Sequence, residues 1–74
     1  HTSRVADVKG RIGDFQRGRT SEATGIKEVA PGIYEDTDGS FWVQQPDGSL
    51  MEDSATDAME KAAFDEWMRT NHNE

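Results

Sequence analysis

The chain has 74 residues, which is enough for one small domain, and a chain of this length buries only about 60% of its unfolded surface. It contains no cysteine, and this excludes disulfides and thiolate metal sites. No apolar run approaches the roughly 20 residues that a membrane helix requires, and no signal-peptide pattern is present. We therefore expect a soluble, cytoplasmic protein without a membrane partner.

The net charge of −7 is unevenly distributed. Residues 1–20 carry five basic and two acidic residues, while the rest of the chain carries three basic and thirteen acidic ones. An acidic surface repels nucleic acid and attracts basic protein surfaces, so the charge favours a basic protein partner. The alternative is that the charge serves solubility alone.

The N-terminal segment, residues 1–20, has an apolar residue at intervals of three, four and three, the spacing of one helix face: Val5, Val8, Ile12 and Phe15. Gly10 and Gly13 weaken such a helix, because each costs about 1 kcal/mol relative to alanine. We predict a segment that tertiary or partner contacts make helical. Its basic residues could neutralise the acidic body, dock on a partner, or form a nucleic-acid arm: Arg4, Lys9, Arg11, Arg17 and Arg19.

Residues 21–32 are predicted to be a linker with a possible edge strand over residues 26–29. Pro31-Gly32 then ends the strand and turns the chain. Beyond it, three short apolar runs are separated by Asp38-Gly39 and by Pro46-Asp47-Gly48. Asp-Gly at the centre of a two-residue loop supplies the positive φ angles of a type I′ hairpin turn. The pattern predicts a three-stranded antiparallel meander.

Two-residue loops would divide the strand side chains between two faces. One face would hold Tyr34, Phe41, Val43 and Leu50, and the other Ile33, Trp42, Gln44 and Met51. Both faces are partly apolar, so each needs a cover. For the face with Trp42 we expect a partner or a second copy rather than the N-terminal segment, because of its two glycines. Trp42 is then a candidate binding anchor, and removal of residues 5–15 should leave a folded domain.

A C-terminal helix is predicted over residues 55–70, with Ser54 as N-cap and Asp57 completing a capping box. Its bulky side chains should face the sheet, with Trp67 in the core: Met59, Ala63, Phe64, Trp67 and Met68. Residues 33–70 would then form the sheet-and-helix domain, and residues 71–74 a frayed tail.

No catalytic, cofactor or metal residue is predicted. Asp36-Thr37-Asp38-Gly39-Ser40 has the acids and glycine of a calcium loop, but Tyr34 and Gln45 would occupy the first and twelfth positions. Paired acids need a dry, concave site to separate their pKa values for acid–base chemistry. A domain of this size has too few residues to enclose such a site. We therefore expect that the protein is not an enzyme and uses no cofactor.

The order of these features resembles the arm-type DNA-binding domain of phage integrases and the plant ethylene-response-factor domain. The resemblance covers residues 32–68 and lies in Gly-Ile-Tyr, Asp-Gly-Ser-Phe-Trp-Val, Pro-Asp-Gly and an alanine-rich helix. It implies three strands followed by one helix. It does not imply DNA binding, because the positions where those families carry arginines hold Glu35, Asp36, Gln44, Gln45, Glu52 and Asp53.

Together these features predict an α+β domain in which the meander, with a possible fourth edge strand, packs against the C-terminal helix. The function we expect is a small acidic protein-binding module: an adaptor, a regulator, or an inhibitor of the kind that phage genomes encode. The predicted partner-binding residues are Ile33, Glu35, Trp42, Met51, Phe64 and Met68. Two alternatives stay open, a nucleic-acid-associated protein acting through the basic arm and an oligomerising assembly subunit.

Overall fold

The computed structural model describes residues 3–71. Its elements follow in the order α1 (Arg4–Gln16), α2 (Ser21–Thr24), β1 (Ile26–Ala30), β2 (Ile33–Asp36), β3 (Phe41–Gln44), β4 (Leu50–Asp53) and α3 (Ala55–Asn71). The strands form one antiparallel sheet in the order β1-β2-β3-β4. The predicted α+β class, the meander, the fourth strand and the C-terminal helix are confirmed.

Both hairpins have loops of three residues rather than two. In the first hairpin, the Asp36 amide donates to the Ser40 carbonyl (2.9 Å) and the Gly39 amide to the Asp36 carbonyl (3.0 Å). The second repeats this pattern between Gln45 and Ser49 (2.7 Å). Gly39 and Gly48 have φ of 87° and 90°, and no other residue type in the described chain has positive φ. The type I′ prediction is therefore wrong, since that turn needs positive φ at two successive positions.

The extra loop residue shifts each pairing register by one. Tyr34 lies opposite Trp42, and Ile33 opposite Val43. A one-residue shift moves every side chain of the paired strand to the other face. Our assignment of strand faces is thereby corrected: Tyr34 and Leu50 lie with Trp42, while Ile33 lies with Phe41.

One face of the sheet is covered by α1. Its core consists of Val8, Ile12, Ile26, Tyr34 and Trp42, with Phe15 and Leu50 packed at its edge. Trp42 is 1% exposed, and its Nε1 donates to Ser40 Oγ at 2.9 Å. The expectation that a partner or second copy covers Trp42 is therefore wrong. The apolar stripe of α1 provides this cover despite its two glycines, because burial against the sheet offsets their propensity cost.

The other face of the sheet is covered by α3, whose first turn is capped by Ser54 Oγ accepting from the Asp57 amide at 3.1 Å. Ala58 is fully buried against Ile33 and Phe41, and Ala62 packs beside it. The contact stripe of α3 is thus alanine, not the predicted bulky residues. Small side chains let the helix backbone approach a sheet face that already carries large ones.

The second half of α3 extends beyond the sheet. Its 17 residues span about 26 Å at 1.5 Å per residue, whereas a four-residue strand spans only about 13 Å. Trp67 is accordingly 57% exposed, so its predicted place in the core is wrong. Of the predicted frayed tail, only Asn71 lies within the described residues, where it ends α3.

Candidate docking surface

An apolar strip lies on the exposed side of α3. Phe64 is 64% and Trp67 57% exposed, and Met68 is also exposed. The spacing of three and four residues places them on one side of the helix. The rings of Phe64 and Trp67 stack with centroids 6.3 Å apart at an interplanar angle of 24°. Contiguous large apolar side chains on a small domain mark an interaction site.

A groove of about 470 Å³ runs between this strip and the sheet. It is bounded by the turn before β2, the end of β3 and one flank of α3. The lining residues are Pro31, Gly32, Ile33, Val43, Gln44, Asp57, Glu60, Lys61, Phe64 and Asp65. The β2–β3 pairing places Ile33 opposite Val43, and Phe64 contributes its ring from α3, so the groove joins the apolar strip to an apolar part of the sheet.

The groove is acidic. Three carboxylates line it against one ammonium group. Lys61 Nζ already donates to Asp53 Oδ2 at 2.7 Å, and the Asp65 carboxylate accepts from Arg69 at 3.1 Å. Within residues 3–71 the remaining two carboxylates, of Asp57 and Glu60, form no ion pair. Their negative charge along this side of the groove is therefore not paired with a side-chain cation among these residues.

The predicted partner-binding residues lie on both faces of the sheet and on α3. Ile33 and Phe64 both line the groove, although Ile33 is only 4% exposed, and Met68 is on the adjoining part of α3. Glu35 is half-buried on β2, and Met51 is exposed on β4. Trp42 lies on the opposite side of the sheet beneath α1 and is inaccessible to a partner.

Sequence reasoning missed Trp67 as a surface residue and the groove acids Asp57 and Glu60. The length of α3 relative to the strands was the signal that could have identified Trp67. For the two acids, the signal was their spacing from Phe64, since Glu60 and Asp57 precede it by four and seven residues on the same helix side.

Most of the basic N-terminal residues bind acids of the same chain. Arg4 pairs with Asp38 at 3.1 Å and Glu52 at 3.3 Å, and its guanidinium lies 5.3 Å from the Trp42 ring centre. Arg11 pairs with two aspartates, and Arg17 with Asp14. Only Lys9 and Arg19 of the predicted arm form no ion pair within the described part of the chain. The segment is thus largely neutralised by its own domain.

The carboxylates with altered pKa values are structural. Hydrogen bonds from Arg11 hold the pKa of Asp36 below its ordinary value against the opposing effect of burial. Those from the side chain and amide of Ser40 lower the pKa of Asp38, and those from the amide and side chain of Ser49 lower the pKa of Asp47. A general acid at neutral pH needs the opposite shift.

Across residues 3–71, no group of three or more histidine, aspartate or glutamate side chains is placed to hold a metal ion. No described helix combines the length and apolar character needed to cross a membrane. Comparison with protein-family models, curated proteins and solved structures finds no match for this chain. The resemblance to integrase arm and ethylene-response-factor domains therefore gains no support from relatives, and function has to be argued from the surface.

Proposed function

We propose that the chain is a small, acidic, non-enzymatic protein-binding module that docks its partner on the exposed side of α3. Such a module acts as an adaptor, a regulator or an inhibitor. The observation that carries the proposal is the exposure of Phe64 and Trp67, which stack on each other on the exposed side of α3. Aromatic residues of this kind dominate binding energy at protein interfaces.

These aromatic side chains contribute little to the fold. The buried contact of α3 with the sheet is made by Ala58, with Ala62 beside it. Phe64 and Trp67 leave most of their area in water, where apolar surface costs about 25 cal/mol per Å² relative to burial. A partner that covers the strip recovers this free energy. The rigid helix also presents both rings without a large ordering cost on binding.

Nucleic-acid binding through the N-terminal segment is the weaker alternative. Three of its five basic side chains, those of Arg4, Arg11 and Arg17, are engaged with carboxylates of the same chain. A phosphate contact by any of them would have to replace an existing ion pair. The remaining surface is acidic and opposes the approach of phosphate.

Affinity capture with matched variants tests the proposal. The full chain is immobilised and compared with Phe64→Ser/Trp67→Ser and with Val5→Ser, which changes an exposed apolar residue on α1 that is 44% exposed. We expect a protein that is retained by the wild type and Val5→Ser but lost with the double variant. Thermal melts establish that all three chains are folded. Equal retention by all three chains, or none by the wild type, would contradict the proposal.

A further inference from the structure

We infer that the partner presents a basic segment to the groove, with arginine or lysine side chains lying across its apolar floor and their charged ends at Asp57 and Glu60. The inference rests on the proposed function and specifies the chemistry of the partner at the same site. The groove offers two kinds of surface at once, apolar on the sheet side and anionic on the helix side.

The apolar floor and the acidic wall together fit an amphipathic cation better than an aliphatic side chain. Lysine and arginine lay their methylene stems along apolar surface while the charged end reaches a polar rim. Here Ile33 and Val43 provide the floor, and Asp57 and Glu60 the rim. The exposed ring of Phe64 offers a face on which a guanidinium can stack, so arginine fits this groove especially well.

The charges that a partner meets are those not already neutralised within the chain. Asp65 and Lys61 have partners in Arg69 and Asp53, and these pairs can persist in a complex. The carboxylates of Asp57 and Glu60 have no such partner among the described residues. One helical turn contains both, since they are three positions apart. Two neighbouring cations on one peptide can therefore meet both.

A second copy of this chain is a poor occupant for the same surface. A two-fold interface brings the same patch of both subunits together, so the uncompensated acids would face each other. The chain also has few free cations to offer elsewhere. Five of its eight lysines and arginines form ion pairs within residues 3–71: Arg4, Arg11, Arg17, Lys61 and Arg69.

The test selects peptides from a random dodecapeptide library on the immobilised full chain and measures each selected peptide by fluorescence polarisation. The binding proteins are the wild type, Asp57→Asn/Glu60→Gln, and the control Glu22→Gln/Glu66→Gln. Both double variants remove two negative charges from exposed positions, but only the first changes the groove. A fourth variant, Phe64→Ser, reports whether the peptides use the proposed docking surface at all.

We expect selected peptides that combine arginine or lysine with apolar residues. Their Kd should rise about three- to tenfold with Asp57→Asn/Glu60→Gln, the factor for losing two exposed ion pairs, and less than about twofold with the control. Phe64→Ser should weaken the binding of these peptides further.

Five results would overturn the inference. If the selected peptides lack basic residues, or bind Asp57→Asn/Glu60→Gln as well as the wild type, the basic partner is wrong. The proposed function survives that result provided that Phe64→Ser still weakens peptide binding. If no peptide is selected, or Phe64→Ser leaves binding unchanged, the inference and the proposed function both fail. If the mass in solution is twice that of one chain and Phe64→Ser reduces it to the monomer mass, the occupant is a second copy of this chain instead.

Discussion

Arg11 on α1 and Asp36 at the end of β2 form an ion pair through two parallel hydrogen bonds, Nη1 to Oδ1 at 2.8 Å and Nη2 to Oδ2 at 2.7 Å. Asp36 is only 7% exposed. The same guanidinium donates to the Thr24 carbonyl at 3.3 Å and to Asp7. One arginine thus ties α1 both to the sheet and to the end of α2, beside the apolar core that α1 closes.

Arg11→Leu should destabilise the domain by about 3 kcal/mol, since it leaves the Asp36 carboxylate buried without its cation. Arg17→Leu is the matched control on the same helix. It removes an exposed ion pair with Asp14 and should cost less than about 1 kcal/mol. Urea unfolding followed by circular dichroism measures both. Similar midpoints for the two variants would show that the Arg11 pair contributes no more than a surface pair.

Stability should fall as the pH drops below about 4. Because the folded pKa of Asp36 is lower than its unfolded value, the unfolded chain binds the proton first. The stabilisation is therefore complete above the unfolded pKa, about 3.9, and is lost as the pH falls through the lower folded pKa. Urea melts between about pH 7 and pH 2 should show a shallower decline for Asp36→Asn than for the wild type. If stability declines in parallel in the two proteins, Asp36 is not a main source of the pH dependence.

Trp42→Ala should mainly reduce stability, whereas Trp67→Ala should mainly reduce partner binding. Trp42 is 1% exposed, so its removal should cost about 3 to 5 kcal/mol and largely unfold so small a domain. Trp67→Ala should change stability by less than about 0.5 kcal/mol, as surface substitutions do, while weakening partner binding. Thermal melts of both variants decide the point, and a large loss of stability with Trp67→Ala would place that side chain in the core.

Removal of residues 3–16 should leave the rest of the chain unfolded, contrary to the expectation from sequence. Val8 and Ile12 are each 1% exposed and close the core around Trp42. The matched control is a chain that ends at Glu66, which keeps Ala58 and Ala62 and loses only the exposed end of α3. Far-ultraviolet circular dichroism should show a coil for the first chain and folded structure for the second. Retained sheet signal in the first would assign α1 an accessory role.

Two glycine substitutions should change stability in opposite directions. Gly10 lies inside α1 with nothing within 4 Å of an added Cβ, so Gly10→Ala should stabilise by about 0.5 to 1 kcal/mol. Gly39 has φ of 87° in the first hairpin loop, where a Cβ is strained even though the space is open, and Gly39→Ala should destabilise by about 1 to 2 kcal/mol. Urea midpoints of the two variants should therefore fall on either side of the wild type.

Local chemistry in the sequence was sufficient for the order and type of most elements. The two Asp-Gly turns separate β2, β3 and β4 where the pattern predicted, and Ser54 caps α3 as expected. These signals act over three or four neighbouring residues, so they can be read without tertiary contacts. The short helix α2 was not predicted, because its four residues lie in a polar stretch without periodicity.

Tertiary structure decided which side chains share a face. The loops at Asp38-Gly39 and Asp47-Gly48 admit two or three residues, and that choice fixes the register of the whole hairpin. Because each loop has three residues, Tyr34 lies on the same face as Trp42, and Ile33 lies on the face that α3 covers. In the second hairpin Pro46 favours the three-residue loop, because in the two-residue register it would pair with Ser49 and proline has no amide hydrogen to donate. The turn residues of the first hairpin do not distinguish the two registers.

Tertiary structure also exchanged the expected roles of the two tryptophans. The sequence correctly identified an apolar stripe on α1 and a broad apolar arc on α3, but it could not tell how far each helix overlaps the sheet. The stripe on α1 lies over the sheet and buries Trp42, whereas α3 is longer than the strands and carries Trp67 past their edge. Burial is a property of what lies opposite a side chain, and hydrophobic periodicity specifies only that a face exists.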